Sequence, residues 1–278
     1  MSTQIQSIRP LTIRSLQKFK RDGRKIVALT AYDYTFARLV EQSGEVDVVL
    51  VGDSLGNVIQ GQDTTIPVTV DDIIYHSRAV RRGLKRAHLV GDMPFMSYQV
   101  STEQALKNAM RLMQEGHVHS VKLEGGREQA EVIRRLTAAG IPVMGHLGLT
   151  PQSIHQLGGH RVQGRGQNAH QRILEDAQIL QEAGAYAIVL ECVPAALALE
   201  ISQSIRIPTI GIGAGEGCDG QILVIQDLLG LGGDFNPRFV RRFAQLGDAV
   251  VDAVRDYGQA VRGGTFPSAE ETYDPIAV

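Results

Sequence analysis

Short apolar runs and amphipathic stretches alternate along almost the whole chain. Ile26–Thr30, Val46–Val51, His88–Val90, Ser120–Leu123, Pro142–Gly145, Ala185–Leu190, Pro208–Ile212 and Ile222–Ile225 are runs of strand length. Between them, Thr35–Gln42, Val70–Arg82, Thr102–Glu115, Glu128–Ala139, Ala169–Ala183 and Pro194–Ile205 carry apolar residues at helical spacing. Most stop at a glycine (Gly44, Gly83, Gly116, Gly140, Gly184), the usual helix terminator. The strand runs are continuous rather than alternating, as expected of parallel strands covered on both faces. Eight such units predict an α/β fold, a closed (β/α)8 TIM barrel, in preference to an open doubly wound sheet. The whole chain, 1–278, reads as one barrel domain. It carries a short N-terminal helix (about 12–21), a helical region Arg238–Tyr257 and a Pro/Gly-rich tail (about 258–278).

Composition narrows the partners. With 28 Lys plus Arg against 30 Asp plus Glu, no Trp and 5% aromatic residues, the chain lacks the basic excess and stacking surface of a nucleic-acid binder. Two cysteines, Cys192 and Cys218, cannot build a disulfide framework or a Cys-rich zinc site and suit a reduced, cytoplasmic chain. No apolar run approaches the ~20 residues of a membrane span. The segment Met1–Arg21 holds Arg9, Arg14, Lys18, Lys20 and Arg21 with no acid, as a transit peptide would. The preferred reading is a capping helix, with Ile13, Leu16 and Phe19 on one face and Asp22-Gly23 ending it.

In a TIM barrel the chemistry sits at the C-terminal ends of the strands. Those positions hold Asp33, Asp53-Ser54, Asp92, Lys122 with Glu124, His146 and Glu191. Any one of these acids is explained by helix capping, Asp33 best of all. Asp53, Asp92 and Glu124, however, end consecutive strands and would converge and repel. A hard divalent cation, such as magnesium, is the simplest compensation, and with one nearby His and no Cys zinc is disfavoured. Lys122 and Glu124 lie two apart on one strand and point the same way. Together with a metal, that lysine suits an anionic substrate; the alternative is a structural ion pair. Glu191 follows the apolar run Ala187–Leu190 and is a candidate general base, with a buried structural hydrogen bond as the rival. His146 is either a substrate contact or the partner of a carboxylate. Gly211–Gly215 lacks a following Lys or Ser/Thr and reads as a tight turn rather than a phosphate loop. The Gly-rich segment Thr150–Gln167 is long enough to be a lid. His117 and His119 stand at the N-terminal end of their strand, where a surface role is preferred to a metal pair.

The motifs Thr30-Ala-Tyr-Asp33, Val51-Gly-Asp-Ser-Leu-Gly56, Asp92-Met-Pro-Phe95, Val121-Lys-Leu-Glu-Gly-Gly126, Gly145-His-Leu-Gly-Leu-Thr-Pro-Gln152, Val162-Gln-Gly-Arg165, Leu190-Glu-Cys-Val-Pro194 and Gly211-Ile-Gly-Ala-Gly215 follow in order. Together, over roughly residues 12–266, they resemble the ketopantoate hydroxymethyltransferase family. The resemblance implies a phosphoenolpyruvate/pyruvate-like barrel, assembled as a homo-oligomer, a homodecamer. It implies transfer of a hydroxymethyl group from the co-substrate 5,10-methylenetetrahydrofolate to 3-methyl-2-oxobutanoate, giving 2-dehydropantoate for pantothenate biosynthesis. By that resemblance Asp53, Asp92 and Glu124 match a Mg2+ site, Asp53, Ser54, Asp92 and Lys122 match keto-acid contacts, and Glu191 matches the catalytic base. The Thr150–Gln167 segment and the Gly213 turn are the candidates for holding folate. His117-Val118-His119 departs from the small residues usual before strand four. A magnesium-dependent lyase or phosphonate mutase on a related barrel is one rival, but the lid Cys or Ser motif it needs is not found. A non-catalytic metal- or phosphate-binding barrel is the other, and an intact Glu191 speaks against it.

Overall fold

Eight parallel strands close on themselves in chain order: β1 (Ile26–Thr30), β2 (Val48–Val51), β3 (His88–Asp92), β4 (Ser120–Glu124), β5 (Val143–Gly148), β6 (Ala187–Glu191), β7 (Thr209–Ile212) and β8 (Gly220–Leu223). The structure is a computed structural model and describes residues 9–233 and 237–273. Closure is direct, β1 pairing with β8 from Ile26↔Gly220 to Leu29↔Leu223. The expected (β/α)8 barrel is therefore present. Every residue of β2, β3 and β4 is buried, because alternate side chains face the barrel interior and the helical layer. Ala28, Val48, Leu50, Val90, Met144, Val189, Ile210 and Ile222 fill the interior.

The N-terminal helix, Ile13–Arg21, joins that core. Thr12 caps it, accepting from Ser15 N–H, while Leu16 is buried in the interior cluster with Ile13 and Phe19 packed beside it. Lys20 then ties the helix to distant chain, donating to Ser202 O at 2.7 Å and Ile207 O at 2.9 Å and pairing with Asp219 at 2.9 Å. The capping-helix reading of this stretch holds for the described residues.

Three strands run further than their apolar runs suggest. β3, β4 and β5 continue through Asp92, Glu124 and His146–Gly148, because ladder pairing such as Glu124↔His146 persists where side chains turn polar. β8 begins two residues earlier than expected, at Gly220, where a Cβ would stand 2.4 Å from Ile26 O. That close approach requires glycine, which hides the strand from a hydrophobicity pattern. Ile225, expected in the strand, instead donates its N–H to Thr30 Oγ1 at 3.1 Å.

The chain divides into two compact units, residues up to Ile225 and those from Gln226, where the sequence suggests one domain. In the second unit the helix spans Leu246–Arg262, not Arg238–Tyr257. The residues before it are held off helical geometry by backbone bonds from Phe243 N to Leu228 O and from Gly247 N to Gly230 O. The tail after residue 273 lies outside the described residues. Among the described residues, no helix is long and apolar enough to cross a membrane.

Candidate active site

Register brings the predicted side chains together at the C-terminal mouth of the barrel. Asp92 pairs with Lys122 across β3–β4, Glu124 with His146 across β4–β5, and Gly148 with Glu191 across β5–β6. Residues in register on the inward face of parallel strands are neighbours, so a ladder assembles the cluster. Lys122 Nζ lies 2.9 Å from Asp92 Oδ1 and 3.7 Å from Glu124 Oε1. Asp53 N–H donates to Asp92 Oδ2 at 3.0 Å, which binds the end of β2 to the end of β3. His146 stands between two carboxylates, with Nδ1 3.3 Å from Glu124 Oε1 and Nε2 3.2 Å from Glu191 Oε2. The partner reading of His146 is the one the geometry supports.

Two organising residues escape the sequence reading. The Gln152 side chain donates to Asp53 Oδ2 and to Met93 O, both at 3.0 Å, while its backbone N–H donates to Glu124 Oε2 at 3.0 Å. Tyr98 accepts from Glu124 N–H at 3.1 Å and donates to Gln152 Oε1 at 2.8 Å. Gln152 ends the quoted Gly145–Gln152 motif, so the signal was present; Tyr98 sits in a loop with none. The Ser54 hydroxyl is held 2.7 Å from that of Tyr32. Asp33 is a helix cap, accepting from Phe36 N–H at 2.8 Å, and takes no part in the cluster.

Electrostatics follow from burial and charge count. Burial pushes Asp53 well above the usual carboxylate range, and the Asp92 and Glu124 charges push it further. Burial also raises Asp92, with Lys122 opposing and Glu124 adding. Burial would raise Glu124 too, but hydrogen bonding and charge from His146, then Lys122, hold it below its ordinary value. Lys122 is kept protonated despite burial by Asp92, Glu124 and Asp53. Burial and Lys122 push His146 down, yet its close pairing with Glu124 and Glu191 outweighs them and lifts it to about 9. Near neutrality His146 is thus an imidazolium clamped between two acids.

That charge raises folded-state proton affinity, so its contribution is complete below pH 6.5 and lost as pH rises through about 9. Unfolding free energy should fall by up to about 1.4 kcal/mol per pH unit in that window, and the slope should vanish in His146→Gln. A wild-type slope of zero in denaturant titrations between those pH values would exclude the imidazolium.

The donor set suits a hard divalent cation. Buried carboxylates outnumber the cations facing them, and Asp92 Oδ1 is buried without a hydrogen bond, facing only the oblique approach of Lys122. Oxygen donors of this kind match magnesium, whereas zinc favours His and Cys. Among the described residues no three His, Cys, Asp or Glu are yet gathered as a ligand group; the carboxylates lean on Lys122, Gln152 and His146.

Glu191 differs from its neighbours. Its side chain is 16% exposed, against 3% for Glu124 and 4% for His146, so the apolar run before it does not bury it. Its backbone is fixed by a close approach: a Cβ on Gly148, at φ +95, would stand 2.1 Å from Glu191 O. Gly148→Ala should therefore destabilise the fold by about 1–3 kcal/mol and displace Glu191. A thermal midpoint and turnover both equal to wild type would refute this. Cys192, next along, has φ +48 and its thiol is pushed up to about 11 by burial and then by Glu191, so it stays an inert thiol.

The chain's relatives agree with one another. The family model described as ketopantoate hydroxymethyltransferase matches residues 10–269. A protein named 3-methyl-2-oxobutanoate hydroxymethyltransferase from Syntrophus aciditrophicus (strain SB) is 54% identical over 273 residues, covering 98% of this chain and 100% of that one. Its namesake from Anaeromyxobacter sp. (strain Fw109-5) is 56% identical over 282 residues, covering 100% and 92%. Among solved structures, a phosphonopyruvate hydrolase complex with oxalate and Mg++ superposes with a TM-score of 0.62 at 16% identity, covering 94% of this chain and 93% of that one. A 2,3-dimethylmalate lyase of the PEP mutase/isocitrate lyase superfamily gives 0.58 at 17% identity, with coverage of 95% and 92%. At such identities the likeness concerns the barrel alone. The match across nearly the full chain is of another order: this chain belongs to the ketopantoate hydroxymethyltransferase family.

Proposed function

We propose that this chain transfers a hydroxymethyl group from 5,10-methylenetetrahydrofolate to 3-methyl-2-oxobutanoate, forming 2-dehydropantoate, the pantothenate-pathway reaction for which its relatives are named. The observation that carries the reading is the mouth cluster, in which Asp53, Asp92 and Glu124 surround Lys122 while Glu191 stands at its open edge. Asp53, Asp92 and Glu124 would hold Mg2+, which when bound acts as a Lewis acid on the 2-oxo acid.

The chain's own groups account for the rest. The Lys122 ammonium, shielded from water, faces the negative charge of the keto acid and of the enolate that follows from it. Asp53 and Asp92 fix the orientation of that end, and the Ser54 hydroxyl, steadied by Tyr32, supplies a further hydrogen bond. Glu191 takes the proton from C3; the C–H electron pair passes into the enolate and then forms the bond to the one-carbon unit, whose two C–N bonds to folate break with their electron pairs left on the nitrogens. Water supplies the hydroxyl, and its remaining proton and the one held by Glu191 go to those nitrogens as tetrahydrofolate leaves. A base that must exchange its proton with solvent benefits from the partial exposure of Glu191, and His146 aims its carboxylate. The working assembly is a homodecamer in the cytoplasm, with folate held near the 150–167 segment.

The test is hydrogen–deuterium exchange at C3 of 3-methyl-2-oxobutanoate, followed by NMR in deuterated buffer with magnesium and without folate. Exchange that stops on chelation, followed by product once methylenetetrahydrofolate is added, is the expected result. No exchange in the metal-loaded protein, with or without the folate, would overturn the reading.

A further inference from the structure

At the opposite end of the barrel from the mouth cluster lies a cavity of about 840 Å³ that the transferase reaction does not use. It is lined by Arg78, Arg81 and Arg82 near the end of the Val70–Gly83 helix, and by His117 and His119 ahead of β4, over a floor of Met113 and Val118. Among the described residues no carboxylate lines it, although the Glu115 carboxylate stands 4.0 Å from the Arg78 guanidinium. We infer that this basic cavity is a binding site for a compact polyanion, specifically a di- or triphosphate group on a small molecule.

Each wall contributes a reason. Arg78, Arg81 and Arg82 are spaced so that Arg78 faces both others on one helix surface, where like charges repel by a few tenths of a kcal/mol each. The helix dipole favours cations in the last turn, Arg81 and Arg82, while Glu115 pairs the third, Arg78. Arg78 is tied to Glu115 through that residue's carbonyl oxygen at 2.8 Å and pairs with its carboxylate at 4.0 Å, and Arg81 donates to Leu84 O at 2.9 Å. Arg82 has neither a hydrogen bond nor an ion pair among the described residues. Unspent guanidinium donors in a concave wall are what a phosphate oxygen uses, and the planar fork fits phosphate better than an ammonium would.

The histidines are set independently of the arginines. His119 Nδ1 accepts the Leu89 N–H at 3.0 Å, so its proton resides on Nε2, which is left free to donate. Burial and then Arg81 lower its pKa, so His119 serves as a neutral donor. His117 has φ +57, a left-handed backbone directly after Gly116, where a second glycine would sit without strain. The exposed His117 imidazole, at this strained position beside the arginines, makes no hydrogen bond, ion pair or ring contact among the described residues. The cavity's size lies within the usual range for small-molecule sites, and the chain's net charge of -2 gives no wider basic field for a nucleic acid.

The experiment titrates the full chain, in metal-free buffer, with inorganic pyrophosphate and tripolyphosphate by isothermal calorimetry, with sulfate and citrate as comparisons. Tripolyphosphate should bind, more tightly than sulfate or citrate. Binding should weaken by about tenfold or more in Arg81→Ala/Arg82→Ala, while basal turnover stays at the wild-type value. His117→Gly should weaken it several-fold with an unfolding midpoint equal to or above wild type, since the glycine relieves the backbone. Equal tripolyphosphate affinity in wild type and the double variant would overturn the site. Citrate binding as tight as tripolyphosphate would overturn the phosphate assignment.

Discussion

Glu191→Gln should slow C3 exchange of 3-methyl-2-oxobutanoate by about 10²–10⁴-fold, the range a positioned general base supplies. The substitution preserves shape and leaves an oxygen beside His146 Nε2, so the unfolding midpoint should change little above about pH 9, where His146 is neutral in both proteins. KM should also hold, since Glu191 stands at the edge of the cluster rather than against Lys122. The variant should match wild type in metal affinity, separating loss of the base from loss of the cation. Removing one of the two acids that clamp His146 should also bring its deprotonation to lower pH, narrowing the window of pH-dependent stability described above. Exchange at the wild-type rate in Glu191→Gln would remove this residue from the proton transfer. Slow exchange together with a midpoint fallen even above about pH 9 would mark it instead as a structural clamp.

Lys122→Met should produce the largest loss of stability. The ammonium is buried between Asp92 and Glu124, and Asp53 adds to the charge that holds it. Taking one partner out of a buried ion network leaves the other charges uncompensated, at a cost of roughly 3–5 kcal/mol. The sign with pH is fixed by linkage. Asp53 and Asp92 already have raised proton affinity in the fold, and without Lys122 they would be raised further. A carboxyl raised in the folded state stabilises most below its unfolded value of about 3.9, and that contribution is lost as pH rises. The deficit of Lys122→Met should therefore be small near pH 4 and full by pH 8. Urea denaturation across that range reads it directly, and a deficit independent of pH would contradict the charge argument.

Much of this arrangement was legible in the sequence because a parallel barrel writes itself as repetition. β1 coincides with its apolar run, and Asp53, Asp92, Lys122, Glu124 and Glu191 all stand at strand ends where the fold puts chemistry. What stayed hidden has three physical causes. Hydrophobicity stops marking a strand where its inward face turns polar, so the apolar runs stop short of Asp92, Glu124 and His146 although these are paired in the sheet. Glycines chosen for close approach, such as Gly220, contribute no apolar signal. Gln152 and Tyr98 act through hydrogen bonds to Asp53, Met93, Glu124 and each other, and such contacts depend on where loops return, which no local pattern encodes. The misplaced helix start near Arg238 is the same lesson in reverse: backbone bonds to Leu228 and Gly230 override a favourable local composition.

The anchoring of Lys20 has a consequence for how the chain is made. Its acceptors, Ser202 O, Ile207 O and the Asp219 carboxylate, belong to the last quarter of the barrel sequence. On the ribosome the first helix emerges long before these groups exist, and its apolar side chains must wait for most of the chain to be synthesised. Contacts of such sequence separation are slow to form and close late. The barrel floor is thus sealed only when the first helix meets the late barrel segments that carry Ser202, Ile207 and Asp219, a checkpoint that only a finished barrel passes.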